Sequence, residues 1–196
     1  MSTIIGVLAL QGAYALHKPH IEACGATYLE IRSEEDLKQC NGLILPGGES
    51  STMLKLIEHK KMWKPLDTFL SQKPSWGICA GAILLANKIL SHKQKSFQKI
   101  PIEVCRNGYG RQIASHEDTI DEYQVSWIRA PRIETHNSDV TVYHKNTYGD
   151  AVWAEFGLTT VTTFHPELNL QTPSPWHQRL FEKIEQIKSG KTVLEG

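Results

Sequence analysis

Apolar residues fall along this chain in short continuous runs separated by amphipathic stretches. Residues 4–10 (IIGVLAL) form an unbroken, β-branched apolar run, the pattern of a strand covered on both faces. A helix is predicted around 20–24, with Pro19 in its first turn and Gly25 as its stop. The pattern next predicts a strand at 27–31, a short helix at 33–37 with Ser33 as N-cap, and a strand at 42–45. Helical periodicity occupies 53–58 and 62–70, followed by a strand at 75–78 and an apolar helix at 80–89. The polar stretch 88–98 reads as a mobile loop. Beyond about residue 100 the runs become strand-like with little helix, at 100–104, 124–129, 140–143, 151–156 and 159–164. A last helix is expected over 176–188, where Trp176, Leu180, Ile184 and Ile187 recur at three- and four-residue spacing.

Strands that alternate with helices predict a parallel α/β sheet with helices on both faces. The second half reads as a mixed or antiparallel extension of that sheet. No repeat or linker interrupts the pattern, so residues 1–196 are expected to form a single domain.

Composition narrows the function classes. Lys plus Arg and Asp plus Glu both number 21, so no basic stripe points to nucleic acid. The apolar N-terminal run lacks a charged n-region and cleavage site and is too short to span a bilayer, which predicts a cytoplasmic protein. Four cysteines (Cys24, Cys40, Cys79, Cys105) show neither C-x-x-C pairs nor Cys/His ligand spacing. Neither a disulfide framework nor a metal site is expected, so each thiol serves packing or chemistry.

In open α/β sheets, reactive groups collect beyond the C-terminal ends of the parallel strands. Three such ends carry unusual residues: LQG at 10–12, PGGES at 46–50 and GICAG at 77–81. Gly77-Ile78-Cys79-Ala80-Gly81 has the G-x-nucleophile-x-G form of a sharp strand-to-helix elbow. Such a turn projects Cys79 at a helix N-terminus, where the dipole and free N–H groups favour a thiolate. A small packed cysteine between glycines fits the pentapeptide equally well. Cys24, Cys40 and Cys105 lack that setting and read as packing residues.

A thiol nucleophile needs a base, and Phe164-His165-Pro166-Glu167 offers one with its own carboxylate. In extended chain, residues i and i+2 project to the same side, so Glu167 could orient His165. Alone, this motif reads more readily as a surface turn with an ion pair. An oxyanion would need donors, and the Ala80 N–H together with the Gly47-Gly48 backbone could supply them. The same Gly-Gly loop could serve as an anion nest. No G-x-x-x-x-G-K-[ST] is present, and Glu49 suits a substrate ammonium better than a phosphate.

GVLALQGA, IEACGA, GLILPGGESSTM, GICAG, RNGYGRQ, IRAP and FHPEL together resemble one family in order and spacing over about residues 4–168. That family is the glutaminase subunit of the two-component pyridoxal 5'-phosphate synthase, among the class I (triad) glutamine amidotransferases. The resemblance implies a three-layer α/β/α, flavodoxin-like fold. It also implies hydrolysis of L-glutamine to glutamate and ammonia, without metal or organic cofactor, with ammonia passed to a synthase subunit in a heteromeric complex. Cys79, His165 and Glu167 would be the catalytic triad. Gly47, Gly48, Glu49, Arg106, Ile128 and Arg129 would contact glutamine, and Gln11 and His17 would lie at the partner interface. This chain departs from the family pattern at Ala82, Gly108-Tyr109 and Pro19. An amidotransferase serving another synthase, a γ-glutamyl hydrolase-like enzyme and a silent binding module remain as alternatives. The other eight histidines (His17, His20, His59, His92, His116, His136, His144 and His177) show no ligand spacing and read as surface or structural residues, with a partner contact the further option at His17. The five tryptophans read as core or interface.

Overall fold

The computed structural model describes residues 2–91, 93–109 and 115–190. His92 and the Gly110-Arg111-Gln112 end of RNGYGRQ lie outside the described residues. In chain order the strands of the first half are β1 (Ile4–Leu8), β2 (Thr27–Ile31), β3 (Gly42–Leu45), β4 (Ser75–Ile78) and β5 (Ala86–Ile89). Those of the second half are β6 (Ile100–Cys105), β7 (Ser115–Ile120), β8 (Tyr123–Ile128), β9 (Arg132–His136), β10 (Thr141–Lys145), β11 (Ala151–Phe156) and β12 (Thr159–Thr162). The helices are α1 (Lys18–Ala23), α2 (Glu34–Lys38), α3 (Ser50–His59), α4 (Trp63–Gln72), α5 (Ala80–Leu85) and α6 (Pro175–Lys188). Among the described residues, single 3-10 turns also form at Tyr14–His17 and Pro166–Leu168.

The central sheet has seven strands in the order β10-β11-β12-β4-β3-β1-β2. The five from β12 to β2 run parallel, and β11 and β10 extend the edge antiparallel. Alternate residues of each strand feed opposite faces, as pleating requires. Leu43 and Leu45 join Met53, Ile57, Leu66, Phe69 and Leu85 on the α3–α4–α5 side. Ile44, Trp76 and Ile78 join Ile21, Trp176, Leu180 and Ile184 on the α1–α6 side. Local sequence chemistry sets several boundaries. Ser33 caps α2 through a capping box in which its hydroxyl accepts from the Asp36 N–H and Asp36 answers to the Ser33 N–H. Ser174 caps α6, with Pro175 in its first turn.

Two expectations are corrected. The apolar helix expected over 80–89 stops at Leu85, and Ala86–Ile89 instead forms β5, paired parallel with β6. Neighbouring strands override helical periodicity where they can take up the backbone hydrogen bonds. The second half also does not all join the central sheet: β5-β6-β9 form a separate three-stranded sheet and β7-β8 a hairpin. The polar stretch before β6 is anchored by Phe97, which is buried and stacks on Trp63 with ring centroids 4.2 Å apart.

Candidate active site

Cys79 follows β4 directly and is the N-cap of α5, with φ 49° and ψ −100°. For a residue with a β-carbon this backbone is strained, and such strain persists only where the surroundings enforce it. Here they do. The Cys79 N–H donates to the Thr162 carbonyl of β12 at 2.9 Å, and the Cys79 carbonyl accepts from Ile83 N–H at 3.1 Å. The flanking glycines serve close approach. A β-carbon at Gly81 would lie 2.0 Å from the Leu45 carbonyl oxygen, and one at Gly77 2.7 Å from the Gly81 backbone. The elbow thus fits tightly against both neighbouring strands, and Cys79 carries the unusual dihedral itself.

His165 stands at the end of the adjacent strand β12. An isolated antiparallel bridge to Ser126 of β8 clamps its backbone: His165 N–H donates to Ser126 O at 2.7 Å, and Ser126 N–H returns to His165 O at 3.4 Å. Its Nδ1 lies 2.7 Å from Glu167 Oε1, and both side chains are buried. His165 Nε2 is buried without a hydrogen-bond partner, and the Cys79 thiol is near enough to act on the ring's proton affinity. Burial disfavours the imidazolium, but Cys79 and Glu167 together outweigh it and push His165 up to about 10. Burial likewise opposes the Glu167 charge; His165, and more weakly His17, hold that carboxyl below its ordinary range.

The other thiols lack such an environment. Burial pushes Cys24 up to about 11 and Cys40 up to about 12, which makes both poor nucleophiles at neutral pH. Among the described residues no cluster of three or more His, Cys, Asp or Glu side chains could hold a metal ion.

The PGGES loop closes one side of the site. Gly47 abuts the imidazole: a β-carbon there would sit 2.2 Å from His165 Cε1. Its carbonyl accepts from Ala13 N–H at 3.0 Å, which turns the N–H of the same trans peptide, that of Gly48, the opposite way. Gln11 Oε1 accepts from Glu49 N–H at 2.9 Å, so Gln11 fastens the first strand-to-helix loop to the second. Glu49 is the N-cap of α3; its carboxylate accepts from Thr52 N–H at 2.7 Å and from the Ser51 and Thr52 hydroxyls. Arg106 pairs with the same carboxylate at 2.5 Å. Ile128 ends the hairpin strand β8 and Arg129 follows it, with the Ile128 carbonyl 3.8 Å from Cys79 Sγ and both side chains exposed.

The structure therefore gathers Cys79, Ala80, His165, Glu167, Gly47 and Gly48 at one point, with Glu49, Arg106 and Ile128 around it. One candidate is misplaced by the sequence reading. His17 is fully buried and cannot touch a partner protein, because it packs inward among His20, His177 and Trp76. His20, His177 and Ser174, also buried beside the site, carried no signal except the i, i+3 spacing of His17 and His20.

The hydrogen bonds of Thr52 (to Glu49) also define a stability test. Thr52 and Ser51 hold Glu49 down to about 2, so its capping contribution, complete at neutral pH, fades as pH drops below the ordinary carboxylate range and through about 2. Glu49→Ala is expected to cost about 1 kcal/mol of folding stability at neutral pH, seen as a lower urea midpoint.

A model of the SNO glutamine amidotransferase family matches residues 7–185. A curated relative from Koribacter versatilis (strain Ellin345), named pyridoxal 5'-phosphate synthase subunit PdxT, is 40% identical over 95% of this chain and 98% of its own. The Bacillus cytotoxicus protein of the same name is 41% identical over 96% and 98%. A crystal structure of a glutamine amidotransferase shares 31% identity at a TM-score of 0.84, covering 92% of this chain and 98% of that one. PurLQS from Thermotoga maritima shares the fold alone, at 15% identity and a TM-score of 0.61 over 96% and 100% of the two chains.

Proposed function

We infer from its membership of the SNO glutamine amidotransferase family, to which this chain belongs, that it acts as the glutaminase subunit of a pyridoxal 5'-phosphate synthase. The observation that supports the chemistry is the buried line from Cys79 through His165 to Glu167 at the meeting of β4 and β12. In this reading the whole chain is one glutaminase domain, working in the cytoplasm with a synthase subunit as partner. Among the described residues no helix is long and apolar enough to cross a membrane.

The reaction follows from the groups present. Cys79 Sγ attacks the carboxamide carbon of L-glutamine, and the carbonyl π pair moves onto oxygen. In this reading the N–H of Ala80 and the Gly47-Gly48 backbone receive that oxyanion. His165 Nε2 gives its proton to the departing nitrogen, which leaves as ammonia when the C–N bond breaks and a γ-glutamyl thioester remains. The now neutral imidazole takes a proton from water, the hydroxide adds to the thioester, and the C–S bond breaks to give glutamate and the thiolate. Glu167 keeps the Nδ1–H of His165 engaged throughout, so the same nitrogen, Nε2, handles both transfers.

Of the substrate contacts, Glu49 and Arg106 neutralise one another as the site stands. They offer a glutamine zwitterion an ammonium acceptor and a carboxylate donor only when their own pair opens. Arg129 and the Ile128 carbonyl border the open side. The test is glutamate release from glutamine with and without the cognate synthase. Release that rises when synthase is added is the expected result. No release even with the partner would overturn the reading, and release indifferent to the partner would place the protein with another amidotransferase or a γ-glutamyl hydrolase.

A further inference from the structure

Glu49 and Arg106 meet at 2.5 Å although they belong to different elements: Glu49 caps α3, and Arg106 follows β6 directly. A pair of long charged side chains contributes little unless its geometry is fixed. Here one segment touches both halves. Residues 90–99 connect β5 to β6, which are parallel neighbours, so the chain has to run back along the strands before β6 begins. On the way Ser91 Oγ accepts from Arg106 N–H at 3.2 Å. Gln94 Oε1 accepts at 3.3 Å from the hydroxyl of Ser50, the first residue of α3 and the chain neighbour of Glu49. Ser50 is 1% exposed, so its hydroxyl is cut off from water and depends on that acceptor.

The segment is itself anchored. Phe97 is buried against Trp63 and donates its N–H to Leu84 O at 2.7 Å, and Lys99 N–H donates to Leu85 O at 2.8 Å. Lys95 Nζ stands 3.6 Å from the Trp63 ring centroid and pairs at 3.7 Å with Glu58, in the last turn of α3. Gln94 and Lys95, neighbours in the chain, therefore reach opposite ends of α3. Leu84 and Leu85 close α5, the helix whose N-cap is Cys79. We propose that Gln94 is a positioning residue of the glutamine pocket: by holding Ser50 it sets Glu49 opposite Arg106, the two groups that receive the α-ammonium and α-carboxylate of the substrate. The role rests on the glutaminase reading given above.

The expected consequence is specific. When substrate opens the Glu49–Arg106 pair, the two side chains no longer hold one another. The bonds of Ser50 and of the Arg106 N–H then keep their backbones in place. The α-groups of glutamine do not change during attack on its side-chain amide. A contact made there stabilises ground state and transition state alike, so its loss appears in KM and spares kcat. Iodoacetamide separates the two further, because it alkylates a reactive thiol yet carries neither an α-ammonium nor an α-carboxylate.

The test is steady-state glutaminase kinetics in the complex with synthase, for wild type, Gln94→Met, Ser50→Ala and the double variant. Gln94→Met keeps the length of the side chain and removes the acceptor. It is expected to raise KM for glutamine about three- to tenfold, the loss of one hydrogen bond, with kcat little changed. Ser50→Ala should do the same, and the double variant should be no worse than either, since both substitutions remove one bond. Alkylation of Cys79 by iodoacetamide should keep its wild-type rate in Gln94→Met. A wild-type KM in Gln94→Met overturns the role, as do two substitutions whose effects simply multiply. Alkylation that slows as KM rises would mean damage across the whole site, and the role falls with that result too. Calorimetric titration of glutamine into Cys79→Ala and Cys79→Ala/Gln94→Met reads affinity without turnover: the same loss supports the proposal, and equal Kd values overturn it. A wild type silent toward glutamine would instead overturn the glutaminase reading, and the role with it.

Discussion

Cys79→Ala will release glutamate from glutamine about 10⁴- to 10⁶-fold more slowly than the wild type, with synthase present, because the covalent route has no second nucleophile. Cys24 and Cys40 cannot take over, since burial keeps both thiols protonated and neither reaches His165. The fold should survive: alanine keeps the β-carbon, and the backbone bonds from Cys79 to Thr162 and Ile83 do not involve the thiol. The substitution also carries a second readout. Burial opposes the His165 charge, and Cys79 and Glu167 together offset it. Without the sulfur, His165 should titrate below its value of about 10, followed by imidazole NMR across pH. A Cys79→Ala protein with more than a few per cent of wild-type turnover would sink the nucleophile assignment.

Gly47→Ala will be nearly as damaging although it adds a single methyl group. The new β-carbon would meet His165 Cε1 at 2.2 Å and Nδ1 at 2.8 Å. That ring has little freedom to yield, for Glu167 holds its Nδ1 and the bridge to Ser126 holds its backbone. Gly47 does not adopt a left-handed conformation, so alanine meets no backbone penalty of its own. The methyl therefore acts on the base itself, and misplacement by about 1 Å costs turnover roughly 10²-fold. The measurement is kcat beside a thermal melt. Loss of turnover with a melting temperature near that of the wild type is expected; unimpaired turnover would mean that Gly47 does not set the position of the base.

How far the sequence discloses this molecule depends on whether the signal is local. The parallel strands at 42–45 and 75–78 are legible because every position in them is buried, and the edge strand at 27–31, TYLEI, because of its β-branched and aromatic residues; the observed bounds of all three coincide with the reading. β7 and β9, with the polar sequences SHEDTI and RIETH, leave no such trace; their pairing partners decide their conformation. Ala86–Ile89 continues the apolar texture of α5 and so reads as helix until β6 supplies its hydrogen bonds. Within the site, Cys79 is legible from its glycines and Glu167 from its two-residue spacing to His165. His17 is not. It stands between exposed Leu16 and exposed Lys18, and the partner that explains it, His177, is 160 residues away along the chain. Its burial is a property of the fold alone.

The pairing of β4 with β12 has a consequence for the history of each newly made molecule. Cys79 and His165 hang from neighbouring strands, yet β4 is complete by residue 78 and β12 only by residue 162. A chain still emerging from the ribosome thus carries the thiol long before the base, or the Thr162 carbonyl that holds the elbow, exists. Synthesis and folding therefore act as a safety catch: an unfinished or truncated copy holds the nucleophile but cannot turn glutamine over. Glutamine is consumed, and ammonia released, only by chains that have closed their sheet.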